Sequence, residues 1–289
     1  MEISEKVYMY FADLIKDRLG IEYPISDRYR LDARISTLIE HFNVDSADAL
    51  HQIYIQNMTT EMETVLLDLA TNNETSFFRD SKPFDFLTKI YIPHFVKGSP
   101  LGPLKIWSCA CSTGQEPLST IMTIKEGFPS LAGGFVKLDA SDISSEALAK
   151  AKNGEYTQLE VQRGIPITLL VKYFDKVDDK DVWKVKNSII KHIRHFSFNL
   201  LTGSYQSGNY NIIFCRNILI YQNKENKEKI LNSLDKQLHQ DGIIILGNGE
   251  SLIGLKTPLQ TINIDGFTII AKESSEFWSD KENHTKLSA

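Results

Sequence analysis

Up to about residue 70 the apolar positions recur at helical spacing. Ile3, Val7, Tyr10, Phe11 and Leu14 share one side, and Gly20 stands where such a helix stops. A second amphipathic stretch is predicted from about Asp27 to His41, with Leu31, Ile35, Leu38 and Ile39 inward. A third covers Ala47 to Gln56 and a fourth Glu61 to Ala70. No alternation of strand type interrupts them, so residues 1–75 are expected to form a helical domain. The pattern changes near Gly98–Pro103. Short apolar runs then alternate with helical stretches: Leu104–Cys109, Leu118–Glu126, Phe135–Ala140, Ser145–Lys152, Asn211–Cys215, Lys224–Leu238 and Ile243–Leu246. Such alternation indicates an α/β domain, here residues 76–289, around a mostly parallel, doubly wound sheet. Leu259–Ile264 and Phe267–Ala271, joined by Asp265-Gly266, read as a closing antiparallel hairpin.

Between about 154 and 197 the alternation breaks. Gly164-Ile-Pro166 marks a turn, and Val182–Val185 and Ile189–Phe196 read as short β pieces, so a small inserted β subdomain is expected. The polar tail from Ser274 is expected to fray.

Composition narrows the function classes. Hydrophobic residues make up 42% of 289, enough for a sizeable core. A net charge of -5 argues against a general nucleic-acid binder, which needs a basic field. Cys109, Cys111 and Cys215 form neither a CxxC pair nor a zinc-spaced set. The start, Met1–Lys6, is charged, and Ile243–Leu246 is far too short to span a bilayer. A cytoplasmic monomer with no membrane insertion is the expectation.

In an open parallel sheet, ligands sit beyond the carboxyl ends of the strands, where the order reverses. The loop after the first strand, Cys109-Ala-Cys-Ser-Thr-Gly114, is built of small residues that let a ligand approach the backbone. Gln115-Glu116-Pro117 then opens a helix. A tight turn with no ligand would look the same. Asp142, ending the next strand, is placed to accept bonds from two ribose hydroxyls, or else to cap the following helix. Together they indicate a nucleoside-containing cofactor without saying which; no GxGxxG follows the first strand, which disfavours a nicotinamide dehydrogenase.

Four blocks in order carry a more specific resemblance: Thr71-Asn-Asn-Glu-Thr-Ser-Phe-Phe-Arg79, Trp107–Pro117, Ala140-Ser-Asp-Ile143 and Phe214-Cys-Arg-Asn-Ile-Leu-Ile-Tyr221. Along almost its whole length the chain resembles the CheR-type chemotaxis receptor glutamate methyltransferases. The resemblance implies a class I methyltransferase fold and S-adenosyl-L-methionine as cofactor. It implies that Asn73, Thr75 and Arg79 line the cofactor and methyl-transfer cleft. Glu116 would hold the methionine ammonium, Asp142 the ribose, and Asn199 and Leu200 the adenine side. Arg216 and Asn217 would join them, with Tyr221 at the reaction centre. The partner implied is the cytoplasmic region of chemoreceptors.

A glutamate acceptor, with pKa about 4.3, is ionised at neutral pH and needs no general base. Alignment of carboxylate, methyl and sulfur can account for roughly 7–11 kcal/mol. Arg79 suits gripping a carboxylate and Tyr221 orienting one, although an ion pair of Arg79 with Asp80 or Asp85, and a packed Tyr221, are the plainer readings.

The chain departs from the family in three places. On the helix that docks the substrate it carries Arg28, Arg30 and Arg34, but Thr37 and Glu40 follow, and Asp27 and Asp32 dilute the patch towards a mixed-charge face. Phe174–Trp183 lacks a glycine-rich turn associated with relatives that grip a receptor tail peptide, so this chain is expected not to need that tether. Gln115 and Gly247–Leu252 are expected not to touch the cofactor contacts. A small-molecule methyltransferase and a non-enzymatic scaffold of the same fold remain alternatives.

Overall fold

The computed structural model describes residues 3–98, 102–177, 181–206 and 208–280. Helix α1 (Glu5–Leu19) is followed by α2 (Arg28–His41), α3 (Ala47–Asn57) and α4 (Thr60–Ala70). Ser4, Ser46 and Thr59 precede three of these, and each side-chain oxygen accepts from a backbone N–H of the first turn. Each cap thus satisfies a donor that the helix itself cannot pair. Val7, Phe11, Ile15, Leu31, Ile35, Leu38 and Leu50 are fully buried in one cluster. In α1 the inward stripe runs through Val7, Tyr8, Phe11 and Ile15, which leaves Tyr10 and Leu14 at its margin. Gly20 ends α1 at φ 71°, its N–H on the Lys16 carbonyl.

The apolar pattern assigns no element to residues 81–97, yet a nearly continuous helical run lies there. It comprises α5 (Ser81–Phe86), a π-helical turn Leu87–Tyr91 and α6 (Ile92–Lys97). Pro93 has no N–H for the Lys89 carbonyl, and its ring crowds that carbonyl, so the helix widens and Ile92 N–H bonds Leu87 instead. Residues 99–101 of the expected boundary lie outside the described residues.

Further on come the helices α7 (Gln115–Gly127), α8 (Ser145–Asn153), α9 (Gln158–Gln162), α10 (Ile167–Tyr173), α11 (Asn187–Ile190), α12 (Lys224–Gln237) and α13 (Glu276–Ser279). The strands are β1 (Leu104–Ser108), β2 (Val136–Asp142), β3 (Glu155–Thr157), β4 (Phe174–Lys176), β5 (Val182–Val185), β6 (Ile193–Ser197), β7 (Tyr210–Cys215), β8 (Leu238–Leu246), β9 (Leu259–Ile264) and β10 (Phe267–Lys272). Seven form one sheet in the order β6-β2-β1-β7-β8-β10-β9. The first five run parallel, and β10 pairs antiparallel with both β8 and β9. Leu118, Ile121 and Met122 of α7 and Leu148 of α8 belong to the core on one face. Ile230, Leu231 and Leu234 of α12 cover the other, against Ile213 and Ile244. This is the α/β, doubly wound arrangement with an antiparallel carboxyl-terminal hairpin that the sequence pattern predicts.

Two segments differ from the expectation. Strands β3, β5 and β4 make a small antiparallel sheet in that order, with residues 178–180 outside the description. But Ile189–Phe196 does not continue it. Ile189 and Ile190 close α11, and Ile193–Ser197 joins the main sheet as a parallel edge strand beside β2. The tail is not frayed up to Asp280: Trp278 is 1% exposed and its Nε1 donates to the Asp241 carbonyl at 2.9 Å, while Phe277 stacks on His94. The rest of the tail, 281–289, lies outside the described residues.

Candidate active site

Strands β2 and β7 flank β1 on opposite sides, and the chain leaves β1 first towards β2, so the order of winding reverses there. A cleft opens at the carboxyl ends of these strands, as the topology requires. Its walls come from the loop after β1, residues 71–79, residues 198–201, residues 216–222, Leu19 at the end of α1 and Ile21 beyond it.

The loop after β1 is shaped by its small residues. Cys109 N–H still bonds the Phe214 carbonyl of β7, and Cys111 N–H the Ser141 carbonyl of β2. Ser112 and Gly114 then take left-handed φ of 50° and 96°. A Cβ at Gly114 would stand 2.9 Å from that of Ala151, so glycine is what lets α8 pack so closely. All three cysteines are buried and free. Burial pushes the Cys109 and Cys111 thiols well up, so neither serves as a thiolate nucleophile.

Asp142 is buried at the end of β2. Its Oδ2 accepts from Ser112 N–H at 2.7 Å and its Oδ1 from Ser144 N–H at 3.0 Å. Desolvation pushes its pKa up, and those backbone donors oppose the shift. The plainer reading, a helix cap, falls instead to Ser144, whose Oγ accepts from Ala147 N–H. Asp142 therefore ties the two loops that flank the cleft.

Glu116 lies in the first turn of α7. Its carboxylate accepts from Ser108 Oγ at 2.8 Å and from Arg216 Nη1 at 3.0 Å. Arg216, with a side chain 3% exposed, also reaches Asp80 Oδ2 at 2.6 Å and the Arg79 carbonyl at 2.9 Å. Asp80 and Asp85 do not hold the Arg79 guanidinium: Asp80 pairs with Arg216, and Asp85 with Lys89. Arg79 Nη1 donates to the Glu74 carbonyl at 3.1 Å and the residue lines the cleft.

Asn73, Thr75, Asn199, Leu200, Asn217 and Tyr221 also line it, so the structure brings together every residue expected at the cofactor and reaction centre. Asn73 Nδ2 donates to Ser144 Oγ, and its carbonyl accepts from Ser112 Oγ. Asn199 Nδ2 donates to the Arg18 carbonyl at 2.7 Å, and Gln222 Nε2 to the Leu19 carbonyl at 2.8 Å. Tyr221 is not simply packed: its Oη accepts from Asn72 Nδ2 at 3.0 Å across the cleft mouth.

The three arginines expected to dock the substrate lie elsewhere. Arg28 bonds Asp32 and the Ile3 carbonyl beneath Tyr8; Arg30 pairs with Asp27; Arg34 donates to the Leu69 carbonyl at 2.7 Å. Arg30 and Arg34 both sit over the Tyr23 ring. None lines the cleft.

Sequence reasoning passed over four residues that build the site. Asn72, Asp80 and Gln222 stand beside recognised positions, but nothing in their spacing distinguishes them. Glu250 corrects an expectation outright, since Gly247–Leu252 does touch a named contact: Glu250 Oε2 accepts from Asn217 N–H at 2.9 Å. Gln115, the other departure, spends its side-chain oxygen on Thr113 Oγ1 within the loop.

The family model described as the CheR methyltransferase SAM-binding domain matches residues 73–267. A chemotaxis protein methyltransferase of Pseudomonas putida is 34% identical over 255 residues, covering 87% of this chain and 92% of its own. One of Pseudomonas aeruginosa is 33% identical over 266 residues, covering 91% and 96%. One of Borreliella burgdorferi is 28% identical, covering 84% and 87%.

The cofactor is therefore S-adenosylmethionine, which supplies an electrophilic methyl group on a sulfonium. The cleft suits it chemically. Two carboxylates, Glu116 and Asp142, stand at separate points of its wall beside apolar Phe198, Leu200 and Ile218. Buried Arg216 Nε has no partner within the protein, leaving a donor for an anionic group. Glu116 would take the ammonium, Asp142 the ribose hydroxyls, and the Asn199-Leu200 segment the base. With the matched family model spanning the site and a third of residues shared with relatives over nearly their full length, the chain belongs to the CheR methyltransferase family.

Proposed function

We propose that this methyltransferase esterifies glutamate side chains in the cytoplasmic region of chemoreceptors. One observation carries the reading: among the described residues, no histidine or lysine lines the cleft, and its three carboxylates, Glu74, Glu116 and Asp142, are already engaged by the protein. A hydroxyl or amine acceptor would ask for a base. A carboxylate is ionised already and needs only to be aligned. Its oxygen forms the new C–O bond as the C–S bond breaks, and no proton has to move.

Arg79 and Tyr221 are the aligning groups in this reading. Arg79→Ala is expected to lower transfer at least about a hundredfold, in keeping with a lost positioning contact, while leaving the thermal midpoint near wild type. The residue is only partly buried and bonds one carbonyl. Turnover near normal would reject the assignment.

Arg28, Arg30 and Arg34 fit a docking face on α2 for an acidic receptor segment. Their anchors leave them partly exposed beside exposed Tyr29 and Ile25. The enzyme would act as a cytoplasmic monomer without a receptor-tail tether. No described helix is long and apolar enough to cross a membrane. The deciding experiment supplies labelled S-adenosylmethionine and receptor-bearing membranes. Base-labile label, released as methanol, is the expected result; base-stable label, or none on receptor, would sink the reading.

A further inference from the structure

We propose that Glu250 is a positioning residue for methyl transfer, holding the turn that presents Asn217 and Tyr221 to the cleft. Beyond β8 the chain reverses at Gly247–Glu250, closed by Glu250 N–H on the Gly247 carbonyl at 3.1 Å and allowed by Gly249 at φ 83°. That reversal aims the Glu250 carboxylate back at the end of β7. Oε2 accepts from Gly247 N–H at 2.7 Å and from Asn217 N–H at 2.9 Å, and Oε1 from Ile220 N–H at 3.2 Å. Three backbone donors beyond the ends of two parallel strands thus converge on one ion.

The arrangement leaves little freedom. A Cβ at Gly247 would fall 2.7 Å from Asn217 N and 2.8 Å from the Glu250 carboxylate. Asn217 itself sits at φ 60°, a conformation asparagine tolerates but does not favour. Something must hold it there, and a charged acceptor on its N–H does so. Tyr221 ends the short 3-10 turn Leu219–Tyr221 that starts from this point. Its reach towards Asn72 is therefore set by the Glu250 contacts. Glu250 does not line the cleft, so it acts through the turn.

The inference rests on Tyr221 belonging to the reaction centre, and the test separates the two ideas. Glu250→Ala removes all three acceptors, whereas Glu250→Gln keeps the size and one carbonyl oxygen. Each is measured in the wild-type and Tyr221→Phe backgrounds, by receptor methylation, S-adenosylhomocysteine calorimetry and amide hydrogen exchange. Glu250→Ala is expected to lower kcat about tenfold or more, and Glu250→Gln less. The receptor KM should stay within about threefold, and the S-adenosylhomocysteine affinity should fall by less than kcat does. Exchange should quicken at residues 217–221 and not in the sheet. In the Tyr221→Phe background the added loss should shrink to about twofold or less.

Wild-type kcat in Glu250→Ala, unchanged exchange at 217–221, or the same fold-loss in both backgrounds would overturn the proposal. If the wild-type enzyme transfers no methyl to receptors, the receptor reading fails, and exchange at 217–221 still decides whether Glu250 holds the turn.

Discussion

Arg216 shows how one side chain can serve structure and site together. Its guanidinium, 3% exposed, lies between Glu116 and Asp80, and a further bond goes to the Arg79 carbonyl. Replacing it with methionine keeps much of the volume but leaves two carboxylates facing each other without a countercharge. Removing one partner of a buried pair costs about 3–5 kcal/mol; here the lower end applies, because Asp80 is 32% exposed. Chemical denaturation of Arg216→Met should show that loss, and a wild-type midpoint would contradict it. Family resemblance identifies Arg216 as a cleft residue, and it is one. The ion pairs with residues 80 and 116 are not legible in the chain, since only the sheet order brings three such distant positions together. Asp142 is similar: position suggests either a cap or a ribose ligand, and only the structure shows Ser144 taking the capping role.

At the scale of elements, periodicity reads what is local. The four amino-terminal helices, the parallel strands and the closing hairpin lie close to their expected places because each presents its own apolar stripe or run. Two elements escape. Pro83 and Pro93 interrupt the period of residues 81–97, so a widened helix looks like irregular chain. Strand β6 finds its partner about fifty residues upstream, so nothing near it shows that it leaves the insertion. The end of α1 mixes both kinds of information. Gly20 reads correctly as a stop, but its neighbours do not appear in the sequence. A Cβ there would stand 2.1 Å from Gln222 Oε1 and 2.5 Å from Asn226 Nδ2, at φ 71°. Gly20→Ala is expected to cost roughly 1–3 kcal/mol through strain. It should also weaken S-adenosylhomocysteine binding, since Gln222 and Leu19 line the cleft. A thermal melt with an unchanged midpoint would refute the first part, and calorimetry tests the second.

For the whole molecule, acid stability follows from histidines the fold keeps neutral. Burial, with Lys152 adding to it, lowers His195 from 6.5 to about 4. Between those values the unfolded chain binds a proton that the folded one refuses. This contribution is therefore complete above pH 6.5 and lost progressively as the pH falls towards 4. His94 and His192 are displaced the same way, burial being the main cause. Asp142 has the opposite sign: its pKa is raised, so the ion costs stability once the pH passes the ordinary carboxylate value. Unfolding midpoints should drop between pH 7 and pH 5, and His195→Gln should flatten that slope; equal slopes in both proteins would contradict this.

The carbonyls of Arg18 and Leu19, at the last turn of α1, are held by the side-chain amides of Asn199 and Gln222. Those bonds close one wall of the cleft from the helical side. Displacing that wall would leave both carbonyls and both amides without these partners at once. The amino-terminal helix and the cofactor cleft are thus joined through two uncharged amides, and a change that loosens the end of α1 is felt at the cleft wall.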